Sequence, residues 1–521
     1  MYLLIVQVYG GAMQIPNLHF GRSRRARLAA GLFGVAIAGG AVSLDGCGDP
    51  SLGSDAQSLN GSTANVRDFG ALGNGVHDDR AAIQAALNSG ASFVFVPNGT
   101  YALGWSGGCN LSLPAGITIY GESRDGAILQ QLPGQPTDIR LLQTGPCINN
   151  PPTTPNVTIH DLTLDGNKAH QTANEHRAGV FATAAPNVYV HDVTSINFTG
   201  DGFYFYNNTT PRVDRVLATT NDRDGLVVSG GVTSGSITNS TLIANKVQQF
   251  DSEGGTETNL VVTGNLFDDG GISKDYAMTV SGFDDQTHSS GWLIDRNTIN
   301  GSVFFVWTSN MVFSDNTVMN DTENPALTLW RSNDGVAIRG NTLTNTQTTI
   351  RSDSALYLAG TGVGAVPSAV ISDNTLIVQG NPQSFGVRAE GCGTVEVLHN
   401  TIIGPGLTGG AGYAGVALRA TVPQDFLSAS VHDNTIRNWG SFGVTVTGNG
   451  PDRLDVVDIS YNHFDDTAGT MTVAMNLDAD GTHAGKDLRV VGNTLGGGCT
   501  TLMTGTLTGT HQTWGDRWVL P

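Results

Sequence analysis

Asp251-Ser-Glu253 places two acidic residues at a spacing suited to proton chemistry. On an extended strand, residues i and i+2 project from the same face. Two carboxyls held that close split their acidities, giving the general acid and general base that glycoside hydrolysis requires. The same pair could instead hold Ca2+, which takes oxygen ligands and would neutralise a uronate during β-elimination. A structural alternative, carboxylates bonding to a neighbouring turn, has the same spacing. Asp201 and Asp224 each precede a strand glycine one repeat apart, so they should stack at one edge. Arg223 could bind a carboxylate or orient Asp251, and Lys274 or Tyr204 could remove the acidic proton beside a uronate carboxylate. No pair among the 12 histidines has zinc-ligand spacing.

These residues must be positioned by short strands. A strand phrase recurs with alternating apolar residues, from Gly202-Phe-Tyr-Phe-Tyr206 and Phe250-Asp-Ser-Glu253 to Val303-Phe-Phe-Val-Trp307 and Ala326-Leu-Thr-Leu-Trp330. Inward positions are apolar almost throughout, while outward positions change from copy to copy. Aligned by hand, the outward column reads Tyr204 and Tyr206, then Asp251 and Glu253, then Phe305 and Trp307. It continues through Trp330 with Arg331, Tyr357, and Arg388 with Glu390. Adjacent parallel strands lie about 4.8 Å apart, close to one sugar unit, so this column is a candidate platform for a glycan chain.

Between these strands a second phrase returns: a polar residue, Asn, Thr and an apolar residue. Its copies include Asn297-Thr-Ile299, Asn316-Thr-Val318, Asn341-Thr-Leu343, Asn374-Thr-Leu376, Asn400-Thr-Ile402, Asn434-Thr-Ile436 and Asn493-Thr-Leu495, with variants at Asn239, Asn265 and Asn462. Successive copies from Asn297 onward are 19 to 34 residues apart, which fits one solenoid coil plus loops. A propeller blade needs four strands in about 40 residues, so a propeller fits less well. Asn suits the bend because it tolerates left-handed angles, and stacked amides would form a structural ladder. The fold expected is all-β, a right-handed parallel β-helix.

The stretch Val66-Arg-Asp-Phe-Gly-Ala-Leu-Gly-Asn-Gly-Val-His-Asp-Asp-Arg80 leads into the amphipathic segment Arg80 to Leu87, with Asp78 or Asp79 as N-cap. With Phe93-Val-Phe-Val-Pro-Asn-Gly-Thr-Tyr101 it closely resembles the N-terminal region of the pectate-lyase-like superfamily, shared by rhamnogalacturonase-type, epimerase-like and phage depolymerase β-helices. The resemblance implies a short helix capping the open end of the solenoid and a β-helix over residues 64–500, followed by a C-terminal cap or tail at 501–521. It says little about chemistry, because lyases, hydrolases, epimerases and non-catalytic members share the fold.

Residues 1–47 read as an export signal and 48–63 as a flexible linker. Arg22, Arg24, Arg25 and Arg27 precede an apolar run from Leu28 to Leu44, which is too short to span a membrane comfortably. Leu44-Asp-Gly-Cys47 resembles a bacterial lipoprotein signal with Cys47 as the lipidated residue. The expected location is secreted or lipid-anchored, with membrane contact only through that anchor. In an oxidising compartment Cys109 and Cys147 could pair, or remain buried thiols. The net charge of −19 disfavours nucleic acid as a partner, and it repels anionic polysaccharides unless a cation or a local basic patch mediates contact. The leading expectation is a polysaccharide lyase acting on a uronate-containing glycan. The alternatives are a glycoside hydrolase on the same fold and a non-catalytic glycan-binding or adhesion protein.

Overall fold

The computed structural model describes residues 61–514, apart from position 208 and stretches 273–275, 349–352, 361–367, 408–412, 422–425, 450–453, 480–484 and 505–508, with positions 382 and 472. Among the described residues, 49 strands form three sheets of 17, 16 and 16 strands. The chain visits each sheet in turn, and strands pair in parallel with the equivalent strand of the next winding, as Tyr204 opposes Val227 and Val227 opposes Asp251. The molecule is an all-β parallel solenoid with almost no helix. No helix of the described residues is long and apolar enough to cross a membrane.

Alternation explains the core. In the strand Asp201–Tyr206, Phe203 and Phe205 point inward and are fully buried, while Tyr204 and Tyr206 face out. Burying each such side chain contributes roughly 1.5–3 kcal/mol, and every winding repeats the gain. Phe305 belongs to this interior. It is fully buried with its ring edge-on to Phe313, at 5.7 Å between centroids.

The asparagine ladder forms. The Nδ2 groups of Asn265, Asn297, Asn316 and Asn341 each donate to the Oδ1 of the next winding's asparagine at 2.9 to 3.1 Å. The series continues through Asn374, Asn400, Asn434 and Asn462 to Asn493. Each amide also donates to a main-chain carbonyl, as Asn297 does to Val262 at 2.9 Å. The left-handed bend expected at these asparagines lies one residue earlier, at Arg296, Asp315, Gly340, Asp373, His399 and Asp433. Asn239 occupies that earlier position, so Ser240 stands in the ladder and its N–H donates to Asn265.

At the N-terminal end the helix Arg80–Leu87 buries Ile83, Ala86 and Leu87 on one face. Gln84 donates to the Ser112 carbonyl at 3.0 Å and accepts from its N–H at 2.9 Å, the two bonds a further strand would make. Asp78 accepts from the Arg80 N–H at the start of the helix. Asp79 instead turns back to accept from the N–H groups of Leu72 and Gly73 in the glycine-rich loop. Cys109 and Cys147 form a disulfide. At the other end, strands Thr501–Thr504 and Gly509–Trp514 extend the sheets into the segment expected to be a cap or tail.

Candidate active site

Strand Phe250–Gly255 presents Asp251 and Glu253 on the outward face of one sheet. Asp251 shares a column with Val227 and Tyr204 of the two preceding windings, and Glu253 shares one with Ser229 and Tyr206. Tyr204 donates its hydroxyl to Glu253 Oε2 at 2.8 Å. Asp201 and Asp224 sit at the strand edge on successive windings, where Asp224 N–H donates to Asp201 Oδ1 at 3.2 Å. Asp224 in turn accepts from the Gln248 N–H at 2.9 Å.

Arg223 joins these acids. Its Nη1 lies 3.1 Å from Asp201 Oδ2 and its Nε lies 3.5 Å from Asp224 Oδ2, while Nη2 pairs with Glu253 Oε1. The Asp251 side chain makes no hydrogen bond or ion pair among the described residues, and the residue is only 8% exposed. Burial pushes the Asp251 carboxyl well above the usual carboxylate range, and the charges of Asp224 and Glu253 raise it further. Burial likewise raises Asp201 well above that range against the opposing pull of Arg223. It raises Asp224 to about 6. Tyr204 is raised by burial and by Glu253, so its hydroxyl keeps its proton. Burial works against the charge on Arg223, but the four carboxyls around it prevail and hold the guanidinium protonated. The site therefore sets buried carboxyls with raised pKa values beside Glu253, which is bonded to a guanidinium and a phenol.

Aromatic rings and arginines flank this cluster. On the N-terminal side the rings of Phe181 and Tyr204 lie 5.5 Å apart, and the Arg140 guanidinium sits 4.5 Å over Phe181. On the C-terminal side Arg331 lies 5.0 Å over Trp307, and Trp330 lies 6.4 Å from Tyr357. Arg388 lies 4.8 Å over Tyr357. Trp307 and Arg331 both have positive φ, at 55° and 63°, which is rare for such bulky side chains and marks local backbone strain. The pairing shifts register there, between Val306 and Thr308.

The N-terminal portion, residues 63–142, matches the family model described as rhamnogalacturonase A/epimerase, pectate lyase-like. By structure the chain resembles the A-module of mannuronan C-5 epimerase AlgE6 from Azotobacter vinelandii, with a TM-score of 0.54 and 22% identity over 71% of this chain and 98% of the module. The N-terminal portion thus resembles the pectate-lyase-like family, and the described chain shares the parallel β-helix fold of that module. By sequence the chain is 32% identical to the same bacterium's mannuronan C5-epimerase AlgE6 over 203 residues, 36% of this chain and 22% of the epimerase. It is 31% identical to the pre-neck appendage protein of Bacillus phage B103 over 145 residues, 26% of this chain and 16% of that protein. The chain thus spans about a fifth of the length of the epimerase it matches.

Several expected site residues fall elsewhere in this β-helix. Phe305 is in the core, and Phe304 takes the outward position, opposite Thr279 and Thr328 and stacked 4.6 Å from Tyr276. The hand alignment carried alternation through Trp307, where the left-handed backbone breaks it. Lys274 and Cys47 lie outside the described residues. Arg223 ion-pairs with Asp201, Asp224 and Glu253 rather than with Asp251. As for the alternative that Asp251 and Glu253 could hold Ca2+, both Glu253 oxygens are engaged by Tyr204 and Arg223, and no group of three or more His, Cys, Asp or Glu among the described residues is arranged to hold a metal. Phe181 and Arg140 went unrecognised, although Gly179-Val-Phe181 is a copy of the strand phrase with an outward aromatic.

Proposed function

We propose that this protein acts on a uronate-containing extracellular polysaccharide by moving the proton at C5, the carbon that bears the carboxylate. The observation that carries this reading is the cluster on three successive windings: Arg223 held among Asp201, Asp224 and Glu253, with the Tyr204 hydroxyl on Glu253 and Asp251 left without a partner. Breaking the C5–H bond sends its electron pair toward the carboxylate, so the sugar needs hydrogen-bond donors there and a base at C5. Asp251, kept protonated by burial, is placed to donate to the sugar carboxylate. Glu253 and Tyr204, joined by a hydrogen bond, form the proton-moving pair. Returning a proton to the opposite face of the ring gives the C5 epimer. Losing the C4 oxygen, with a proton delivered to it, gives elimination.

The similarity to mannuronan C5-epimerases favours epimerisation over the lyase outcome expected from sequence. Arg140, Arg331 and Arg388 on the same outward face supply the local positive charge that an anionic polymer needs against a chain of net charge −19. We take the helix Arg80–Leu87 as the cap of the first winding, and the protein as exported, with a polysaccharide as its partner.

One observation favours a second reading. Both Glu253 oxygens are already bonded, as in a structural brace, which suits a non-catalytic glycan-binding surface. Incubation with mannuronan and other uronate and neutral glycans separates the readings. Epimerisation changes the uronate ratio seen by NMR, elimination gives ultraviolet absorbance from a new ring double bond, and hydrolysis gives reducing ends alone. Binding without any product supports the second reading, and reducing ends from a neutral glycan overturn the first.

A further inference from the structure

Strand Met278–Gly282 follows the Asp251 strand by one winding and turns two hydroxyls outward, which are used differently. Ser281 serves the fold. Its Oγ accepts from the Gly254 N–H at 3.0 Å and donates to the Ser252 carbonyl, bracing the turn that follows Glu253. Thr279 has no such task. Its Oγ1 is buried and makes no hydrogen bond among the described residues. Thr279 and Asp251 are direct register partners, so two unpartnered polar side chains stand on adjacent windings about 4.8 Å apart. On the other side of Asp251 the register partner is Val227, whose side chain has no polar group. Thr328 and Thr445, further along the same column, also have unpartnered hydroxyls. Their register neighbours are Phe304 and Tyr357 in one case, Ala417 and Asn476 in the other. Of the three threonines, Thr279 alone borders an acid. Buried polar groups are almost always paired in folded proteins, so two adjacent exceptions call for a partner from outside the chain.

We propose that Thr279 is a second donor to the sugar carboxylate, its hydroxyl binding one oxygen while Asp251 binds the other. The inference rests on the proton transfer at C5 proposed above and adds the group that fixes how the carboxylate lies. A threonine hydroxyl can donate or accept, and toward a carboxylate it donates. Burial raises the Asp251 carboxyl well above the usual carboxylate range, which suits it to donating beside Thr279. Withdrawing the C5 proton moves charge onto both carboxylate oxygens, so two buried donors strengthen their hold as the transition state forms. A neutral sugar in the same place leaves both donors unpaired, so the pair also selects acid sugars.

The test uses the full-length protein and mannuronan. Thr279→Val keeps the shape of the side chain and removes the hydroxyl. It should lower kcat about a hundredfold, the size of losing one donor to a developing negative charge. Thr279→Ser should restore most of that loss. The melting temperature of Thr279→Val should be unchanged or raised, because no bond within the protein is lost. Thr328→Val, the same change away from any acid, should leave kcat unchanged. A merely structural role would lower the melting temperature and would not be rescued through the hydroxyl. An unchanged kcat in Thr279→Val, a loss that Thr279→Ser does not restore, or an equal loss in Thr328→Val overturns the proposal. If the wild type forms no product, calorimetric binding of mannuronate oligomers decides. Binding weakened about tenfold in Thr279→Val and kept in Thr279→Ser upholds the donor while the proton-transfer reading fails. Equal binding by wild type and Thr279→Val overturns the donor alone, and no binding by the wild type overturns both.

Discussion

The Tyr204 and Tyr357 neighbourhoods use one structural device for two different balances of charge. In each, a tyrosine on the outward face donates to Oε2 of a glutamate, at 2.8 Å to Glu253 and at 2.9 Å to Glu390. Around Glu253, among the described residues, one guanidinium serves several carboxyls, and burial raises Asp201, Asp224 and Asp251 above the usual carboxylate range. Around Glu390 two guanidiniums serve one carboxylate. The first arrangement crowds buried acids around one arginine, and the second brings two arginines to one glutamate. A parallel solenoid allows this because each winding offers the same backbone register while its outward side chains change independently.

The comparison breaks most readily at the two tyrosines and at Asp251. Asp251→Asn should lower kcat about 10²–10⁴-fold, the usual size of a lost acid–base contribution, while polymer binding persists. Because the buried carboxyl has no partner, the same change should leave the melting temperature unchanged or raise it. Tyr204→Phe should likewise act on kcat, and Tyr357→Phe chiefly on polymer KM. Steady-state kinetics on both tyrosine variants checks this, and equal kcat losses would erase the distinction between the regions.

A smaller effect sharpens the acidic side. Asp224 keeps its proton to about pH 6 in the folded protein, above the ordinary aspartate value of 3.8. The folded state therefore binds more protons than the unfolded chain between about pH 4 and 6, so this group's contribution to stability falls as pH rises through that window. Melting curves of Asp224→Asn should decline less steeply than wild type across it. The wild-type kcat/KM should fall above about pH 6 as the cluster loses a proton, with the apparent value belonging to the coupled acids together.

The smallest functional effect is expected where the two regions share only their scaffold. Asn374→Ala removes an amide that donates to Asn400 Oδ1 and to the Ile338 carbonyl and accepts from Asn341. Leaving those buried groups unpaired should cost about 1–3 kcal/mol, read as a lower denaturation midpoint with KM for the polymer unchanged.

The solenoid was legible because its signals are local and repeated: alternation writes the core, and Asn-Thr pairs write the ladder. Asp201, Asp224, Asp251, Glu253 and Tyr204 were also readable as one group, since strict register carries a column from winding to winding. Legibility failed where register shifts. The left-handed backbone at Trp307 turned an apparently outward Phe305 into a core residue, and nothing in the string Val303-Phe-Phe-Val-Trp307 marks that change. The partners of Arg223 were equally hidden, because a long side chain chooses among nearby acids by geometry that spacing does not encode. Arg419 was passed over because its copy, Gly415-Val-Ala-Leu-Arg419, carries no aromatic. The ring beneath it, Phe385, comes from the preceding winding.

Proton exchange at the sugar ring tests the central claim most directly. Mannuronan incubated with the protein in deuterated water and followed by NMR should gain deuterium at C5 in newly formed epimer, at a rate that falls with Asp251→Asn and with Tyr204→Phe. Product formed with C5 still carrying its original hydrogen would contradict the claim, because chemistry at this cluster would then proceed without the proton transfer it is built to perform.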